Sequence, residues 1–243
     1  MIVRDLINTD ILRLTKNKTA VVLIPVGSIE QHGPHLPIST DSDIVTYIAK
    51  QISKETGFLL LPTIEYGVSF EHQPFFNLSL STPTLQKILV ELCFSLWKNC
   101  IQRIIILNGH HGNHQALKQI QNRVSKIGKV NPVILTYSYW HFMKRPFDHA
   151  GFVETSIMLA ISDKVKMDKA ERGLVTDRLS KNEINRLNKL ASKSFPSATK
   201  NGVWGDPTKA TVKAGKEILR EVISSIIKES QTCLTEKSRK LHQ

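Results

Sequence analysis

Four short apolar runs, at residues 20–26, 58–61, 101–107 and 133–137, punctuate this chain, and segments of helical spacing separate them. Runs this short, rich in Val, Ile and Leu, read as buried strands. Strands separated by a helix's length of chain pair in parallel, because the connection must cross over the sheet, and parallel sheets are covered on both faces. The alternation therefore predicts an α/β fold: a three-layer α/β/α sandwich with a mainly parallel central sheet. It also predicts a place for a site, since open sheets of this kind bind ligands beyond the carboxyl ends of their strands.

The helical segments carry their own signals. Ile44, Val45, Ile48 and Ile52 follow a helical period, and Thr40 with Asp43 three residues later reads as a capping box. Thr82-Pro83 opens a second helix with Leu85, Leu89, Leu92 and Leu96 on one face. A third is expected over residues 113–127, ending at Gly128. Residues 180–210, rich in Ser, Lys, Asn and Gly, read as a loop or lid. A length of 243 residues suits one domain, expected over residues 1–230, followed by a basic, solvated tail at 231–243.

The net charge of +12 comes from Lys and Arg scattered along the chain, richer from Lys209 onward. It reads as solubility first and as attraction for an anionic substrate second. No motif points to nucleic acid, and no apolar run approaches a membrane span, so neither is expected as a partner. Cys93, Cys100 and Cys233 are odd in number and lack CxxC spacing, which argues for a reducing interior; with no secretory signal pattern at the N-terminus, a cytoplasmic location is expected.

The chemistry is concentrated where the strands end. Glu30, His32 and His35 follow the first run, with Asp41 and Asp43 close behind. Glu, His and Asp are ligands for Zn²⁺, Mn²⁺ or Fe²⁺. Glu30 and His32, two apart, share a side of an extended segment, and Gly33-Pro34 turns the chain so that Asp41 can return. His110, His111 and His114 follow the third run, and Asp148, His149 and Glu154 form a third cluster. Six of the nine histidines fall in these three segments. Each segment has a plainer reading, as a polar loop, a turn capped by Asn108 or Asn113, or a capped helix start. Their concentration favours a metal-dependent hydrolase. Tyr66 and His72 after the second strand, and Trp140 after the fourth, are candidates to line a substrate pocket.

The segments PVGSIEQHGPHLPISTDSDI, NGHHGN, HAGFVETS and GVWGDPTKAT, spread over residues 25–210, resemble the creatininase family of metal-dependent amidohydrolases. The resemblance implies two divalent ions (Zn, Mn or Fe), with Asp41 bridging, Glu30 and His110 on one ion and His32 on the other. It implies that His149 shuttles protons, with Asp148 orienting it. Creatinine-hydrolysing members carry Glu two residues after the third-strand His, where this chain has Gly112; Glu154 is the expected substitute ligand, and creatinine becomes a poor candidate substrate. The expected activity is hydrolysis of a non-peptide C–N bond, a cyclic amide or formamide, in a small metabolite, anionic or phosphorylated. The alternatives are a metallopeptidase trimming a short cofactor-precursor peptide, or a non-enzymatic metal-binding assembly protein. Homo-oligomers, often hexamers, are the family's expected assembly.

Overall fold

The computed structural model describes residues 1–16 and 19–240. In chain order its elements are α1 (Asn8–Thr15), β1 (Val21–Val26), α2 (Thr40–Thr56), β2 (Leu59–Leu60), α3 (Thr82–Lys98), β3 (Arg103–Asn108), α4 (His114–Leu117), α5 (Ile120–Gly128), β4 (Val133–Ser138), α6 (Phe152–Ile161), α7 (Lys181–Ala191), α8 (Phe195–Thr199) and α9 (Val212–Lys240). All four expected strands form, in one parallel sheet of order β2-β1-β3-β4.

Side chains alternate across the sheet, as period two requires. Leu23, Ile105, Leu107 and Leu135 join one core with residues of α2, α6 and α9. Val22, Ile24, Ile104, Ile106 and Ile134 join the other with residues of α3, α4 and α5. The sheet is buried on both faces, so its strands read as unbroken apolar runs in sequence. The chain leaves β1 toward β2 on one side and returns to β3 on the other. The strand order therefore reverses beside β1, and the crevice at the carboxyl ends of β1 and β3 is the place such sheets offer to ligands.

Several local expectations are corrected. α2 begins at Thr40, but its N-cap is Ser39, whose Oγ donates to the Asp43 carboxylate at 2.8 Å. Thr40 instead donates Oγ1–H to the Pro37 carbonyl, and Asp41 enters the first helical turn. The third helix divides into α4 and α5 because Gln119 adopts a left-handed backbone, φ 61°. Residues 180–210 hold α7 and α8; the Ser180–Glu183 capping box starts α7 and was readable from the sequence. The expected tail at 231–243 continues α9 as far as Lys240, with Leu234 buried; residues 241–243 lie outside the described residues.

Candidate metal centre

Glu30 sits on the segment leaving β1 and is completely buried. Backbone bonds from Glu30 N–H to Ile38 (3.0 Å) and from Gln31 N–H to Phe76 (2.9 Å) fix that segment between two loops. Asp41 and Glu154 occupy the first turns of α2 and α6, where helix N-termini favour carboxylates. His110 leaves β3 extended, its backbone N–H donated to the Asn108 side chain. Four chain segments thus converge on one buried cluster.

Two groups of three donors stand out in it. Glu30, Asp41 and His110 form one; His32, Asp41 and Glu154 form the other, and Asp41 belongs to both. A third grouping joins Glu30, His32 and His149. His110 Nδ1 is 2.9 Å from Asp41 Oδ2, and His110 Nε2 is 3.2 Å from Glu30 Oε2. His32 Nε2 lies 3.3 Å from Asp41 Oδ1 and 3.7 Å from Glu154 Oε2. Glu30 Oε1 and Asp41 Oδ2 are buried without a hydrogen-bond partner although imidazole nitrogens stand close by. Buried carboxylate oxygens left unsatisfied cost free energy unless something else meets them. A divalent cation meets that need, and its donor chemistry fits these residues.

Protonation follows the same crowding. Burial works against charge on His32, but Asp41, Glu154 and Glu30 outweigh it and raise the imidazole to about 10. His110 rises to about 10 likewise, with Glu30 and Asp41 overcoming burial. Asp41 is driven well below the usual carboxylate range, because those two imidazoles outweigh its burial. Burial raises Glu30 and Glu154 to about 8. His149 goes the other way: burial, then His32 and His72, hold it well below its ordinary value and therefore neutral.

The remaining expected site residues divide. His149 faces the cluster, its Nδ1 4.0 Å from Glu30 Oε1 and its ring 4.3 Å from that of His32. Asp148 does not orient it among the described contacts. Its carboxylate instead accepts from the backbone N–H of Val153 (2.8 Å) and Glu154 (3.3 Å), holding the start of α6 and so the position of Glu154 in the cluster. His72 lines the cavity, with Nε2 3.1 Å from Glu30 Oε1. Tyr66 is 50 % exposed and lies outside the cavity wall. Trp140 stands behind the wall, stacked on Phe147 at 4.8 Å. His35 bonds Thr155 Oγ1 at 2.8 Å, tying the first motif to α6.

Two residues escaped the sequence reading. Gln31, inside the first motif, places its side-chain amide nitrogen 3.0 Å from His72 Nδ1 and 3.1 Å from His149 Nε2, while its Oε1 accepts from Gly33 N–H. Phe195, in the region read as loop, stacks on His72 at 4.6 Å and meets His149 edge-on at 4.7 Å. Gln31 was legible as a polar residue between Glu30 and His32; Phe195 had no sequence signal. The cavity above the cluster is about 770 Å³. α7 and α8 supply Ile184, Ala191 and Phe195 to its wall, and no Lys or Arg lines it among the described residues.

An open parallel α/β sheet with a buried histidine–carboxylate cluster at its reversal point is an arrangement suited to a metal-dependent hydrolase. More narrowly, the chain belongs to the creatininase family: the family model described as creatinine amidohydrolase matches residues 5–229. It is 33 % identical over 224 residues to a mycofactocin precursor peptide peptidase of Mycobacterium ulcerans (strain Agy99), covering 85 % of this chain and 82 % of that one. It is 29 % identical over 180 residues to the creatinine amidohydrolase of Pseudomonas putida, covering 61 % and 67 %. The solved structure described as creatininase Mn superposes with a TM-score of 0.80 at 21 % identity, over 94 % of this chain and 96 % of that one. Membership makes the chain a hydrolase of amide C–N bonds, which removes the non-enzymatic alternative.

Proposed function

We propose that this hydrolase works with two divalent ions, one held by Glu30, Asp41 and His110 and the other by His32, Asp41 and Glu154, and that its substrate is a peptide-sized amide. The carrying observation is the pair of three-donor groups that share Asp41 at the floor of a cavity of about 770 Å³. Such ions, when bound, activate water and polarise the amide carbonyl.

The chain's own residues supply the rest. In the tautomer that donates Nε2–H to the Gln31 carbonyl (3.2 Å), His149 keeps Nδ1 bare on the Glu30 side. That atom takes a proton and returns it to the leaving nitrogen, a task suited to an imidazole held neutral. Gln31 holds His149 through its backbone carbonyl and reaches His72 Nδ1 with its side-chain amide, and Phe195 covers both rings and excludes water from them.

The cavity is wide for a compact ring such as creatinine. Its wall of Ile184, Ala191, Phe195 and Trp204 offers apolar surface suited to peptide side chains. The likeness to a precursor-peptide peptidase supports the same reading. The test is a hydrolysis screen of metal-loaded protein against short peptides with apolar C-terminal residues, creatinine and a phosphorylated formamido-pyrimidine. Peptide cleavage is expected to dominate. Turnover confined to creatinine or the formamide would overturn the substrate assignment.

A further inference from the structure

The segment GVWGDPTKAT, residues 202–211, supplies no donor to the metal cluster among the described residues. It runs instead beside His149. His149 N–H donates to the Trp204 carbonyl at 3.0 Å, and Trp204 N–H donates to the His149 carbonyl at 2.8 Å, so both backbone polar groups of His149 are engaged by one residue. On its other side the segment meets Gly173-Leu174. Leu174 N–H donates to the Val203 carbonyl (2.9 Å), Gly205 N–H to that of Leu174 (2.8 Å), and Gly173 N–H to that of Gly205 (3.0 Å). Trp204 is thus the middle of a three-stranded patch, antiparallel to His149 and parallel to Leu174.

His149 needs such a support. It lies between β4 and α6, outside both. The residue after it, Ala150, is left-handed at φ 51°, a conformation that a side chain with a Cβ keeps only where its surroundings impose it. Ala150 N–H donates to Glu154 Oε2 at 2.7 Å, which fixes one side of the bend. The Trp204 pair fixes the other. Gly205 lets the patch come this close: its φ of +130° suits glycine, and a Cβ there would stand 3.1 Å from Gly151 Cα and 3.2 Å from Asp148 Oδ2. Those contacts are tight but short of a clash, so a methyl at 205 displaces the 148–151 bend by a few tenths of an ångström. The far end of the segment is anchored as well. Asp206 accepts from Thr208 N–H (3.1 Å) and Oγ1–H (2.6 Å), and Thr211 N–H donates to Ser156 Oγ on α6 (3.2 Å).

The imidazole swings with the backbone that carries it. Its Nδ1 stands 4.0 Å from Glu30 Oε1, whereas Glu30, His32, Asp41 and His110 are carried by other segments and stay where they are when the 148–151 bend moves.

We propose that the strand 203–205 is the positioning element of His149, with Gly205 as its positioning residue: it holds the imidazole within reach of the reacting atoms and adds nothing to metal binding. This rests on the proton-transfer role given to His149 above, and the experiment separates the two. The Zn²⁺-loaded full-length chain is compared with its Gly205→Ala, Asp206→Ala, His149→Ala and His149→Ala/Gly205→Ala variants. Bound metal, Tm, amide hydrogen exchange, and kcat and KM on short peptides with apolar C-terminal residues and on creatinine are measured for each. Gly205→Ala should lower kcat by about 10–100-fold, since a misplacement of about 1 Å can cost about 10²-fold, with KM and bound metal unchanged. The His149 and Trp204 amides, each donated to the other's carbonyl, should exchange faster together in that variant. The double variant should be no slower than His149→Ala alone, because the strand acts through the imidazole. Asp206→Ala, which only loosens the turn after the strand, should show a smaller fall of the same kind. Normal kcat in folded Gly205→Ala, unchanged exchange of both amides, loss of an ion, or a double variant slower than His149→Ala overturns the proposal and leaves the role of His149 intact. If Gly205→Ala does not fold, Asp206→Ala decides, and its normal kcat overturns the proposal. Normal turnover in His149→Ala, or a wild type that hydrolyses none of these amides, refutes the functional reading and this proposal with it.

Discussion

Replacing Asp41 with Asn tests the shared-carboxylate geometry most directly. The two Asp41 oxygens lie 3.3 Å from His32 Nε2 and 2.9 Å from His110 Nδ1, so one side chain serves both donor groups. A four-donor zinc site binds with an apparent free energy of about 10–16 kcal/mol, or roughly 3–4 kcal/mol per donor. At about 1.4 kcal/mol per tenfold, weakening one donor in each group should lower each affinity by about two to three decades. A wild type at free metal about 100 times Kd gains about 2.7 kcal/mol per ion, about 5 kcal/mol for two. For a domain of this size that is a rise in Tm of about 10–20 °C. At the same free metal the variant should gain only about 0.4 kcal/mol or less per ion. Differential scanning calorimetry with buffered Zn²⁺, and elemental analysis after desalting, read both quantities. A variant that keeps the wild-type metal content and the wild-type metal-induced shift would refute the shared ligand.

His149→Ala should lower turnover by about 10²–10⁴-fold with metal stoichiometry unchanged, as expected for loss of a proton-transfer group; near-normal turnover per folded molecule, with only Tm reduced, would mean His149 merely packs. Metal binding should release protons and tighten as pH rises. In the metal-free protein His32 and His110 are raised to about 10 and Glu30 and Glu154 to about 8, so all four hold protons at neutral pH that a bound cation displaces. The dependence of the calorimetric enthalpy on buffer ionisation counts those protons, and an enthalpy independent of buffer at pH 7 contradicts the assignment.

The strands were legible because each is buried on both faces and reads as an unbroken apolar run; β2 is the weakest, with only Leu59 and Leu60 in the ladder. Local breaks were not legible. Nothing in the composition of residues 113–127 announces the left-handed Gln119 that splits α4 from α5. α7 is half-solvated and polar, so its apolar stripe of Ile184, Leu187 and Ala191 was lost among lysines and asparagines. At the site, Glu30, His32, Asp41, His110 and Glu154 could be named as candidates in sequence because histidines and carboxylates crowd into three short motifs, and the structure brings these five together. Asp148 was misread as a partner of His149, since adjacency in sequence does not tell which way a carboxylate turns, and the open amides of α6 claim it. Phe195 joins the cavity only through the return of a distant segment, which no local pattern encodes.

The convergence of the donor groups also bears on how the protein assembles. Residues 30, 41, 110 and 154 lie on four separate stretches of chain, so a bound ion acts as a non-covalent cross-link that closes long loops. The entropy of closing such loops must be spent by the sheet and its helices before donors this far apart can meet. An unfolded or partly folded chain therefore offers an ion only isolated fragments, chiefly Glu30 with His32. Metal should load late, onto a finished scaffold, and once loaded it should slow the separation of α2 and α6 from the strand ends, making escape of the ion and opening of the crevice one coupled event.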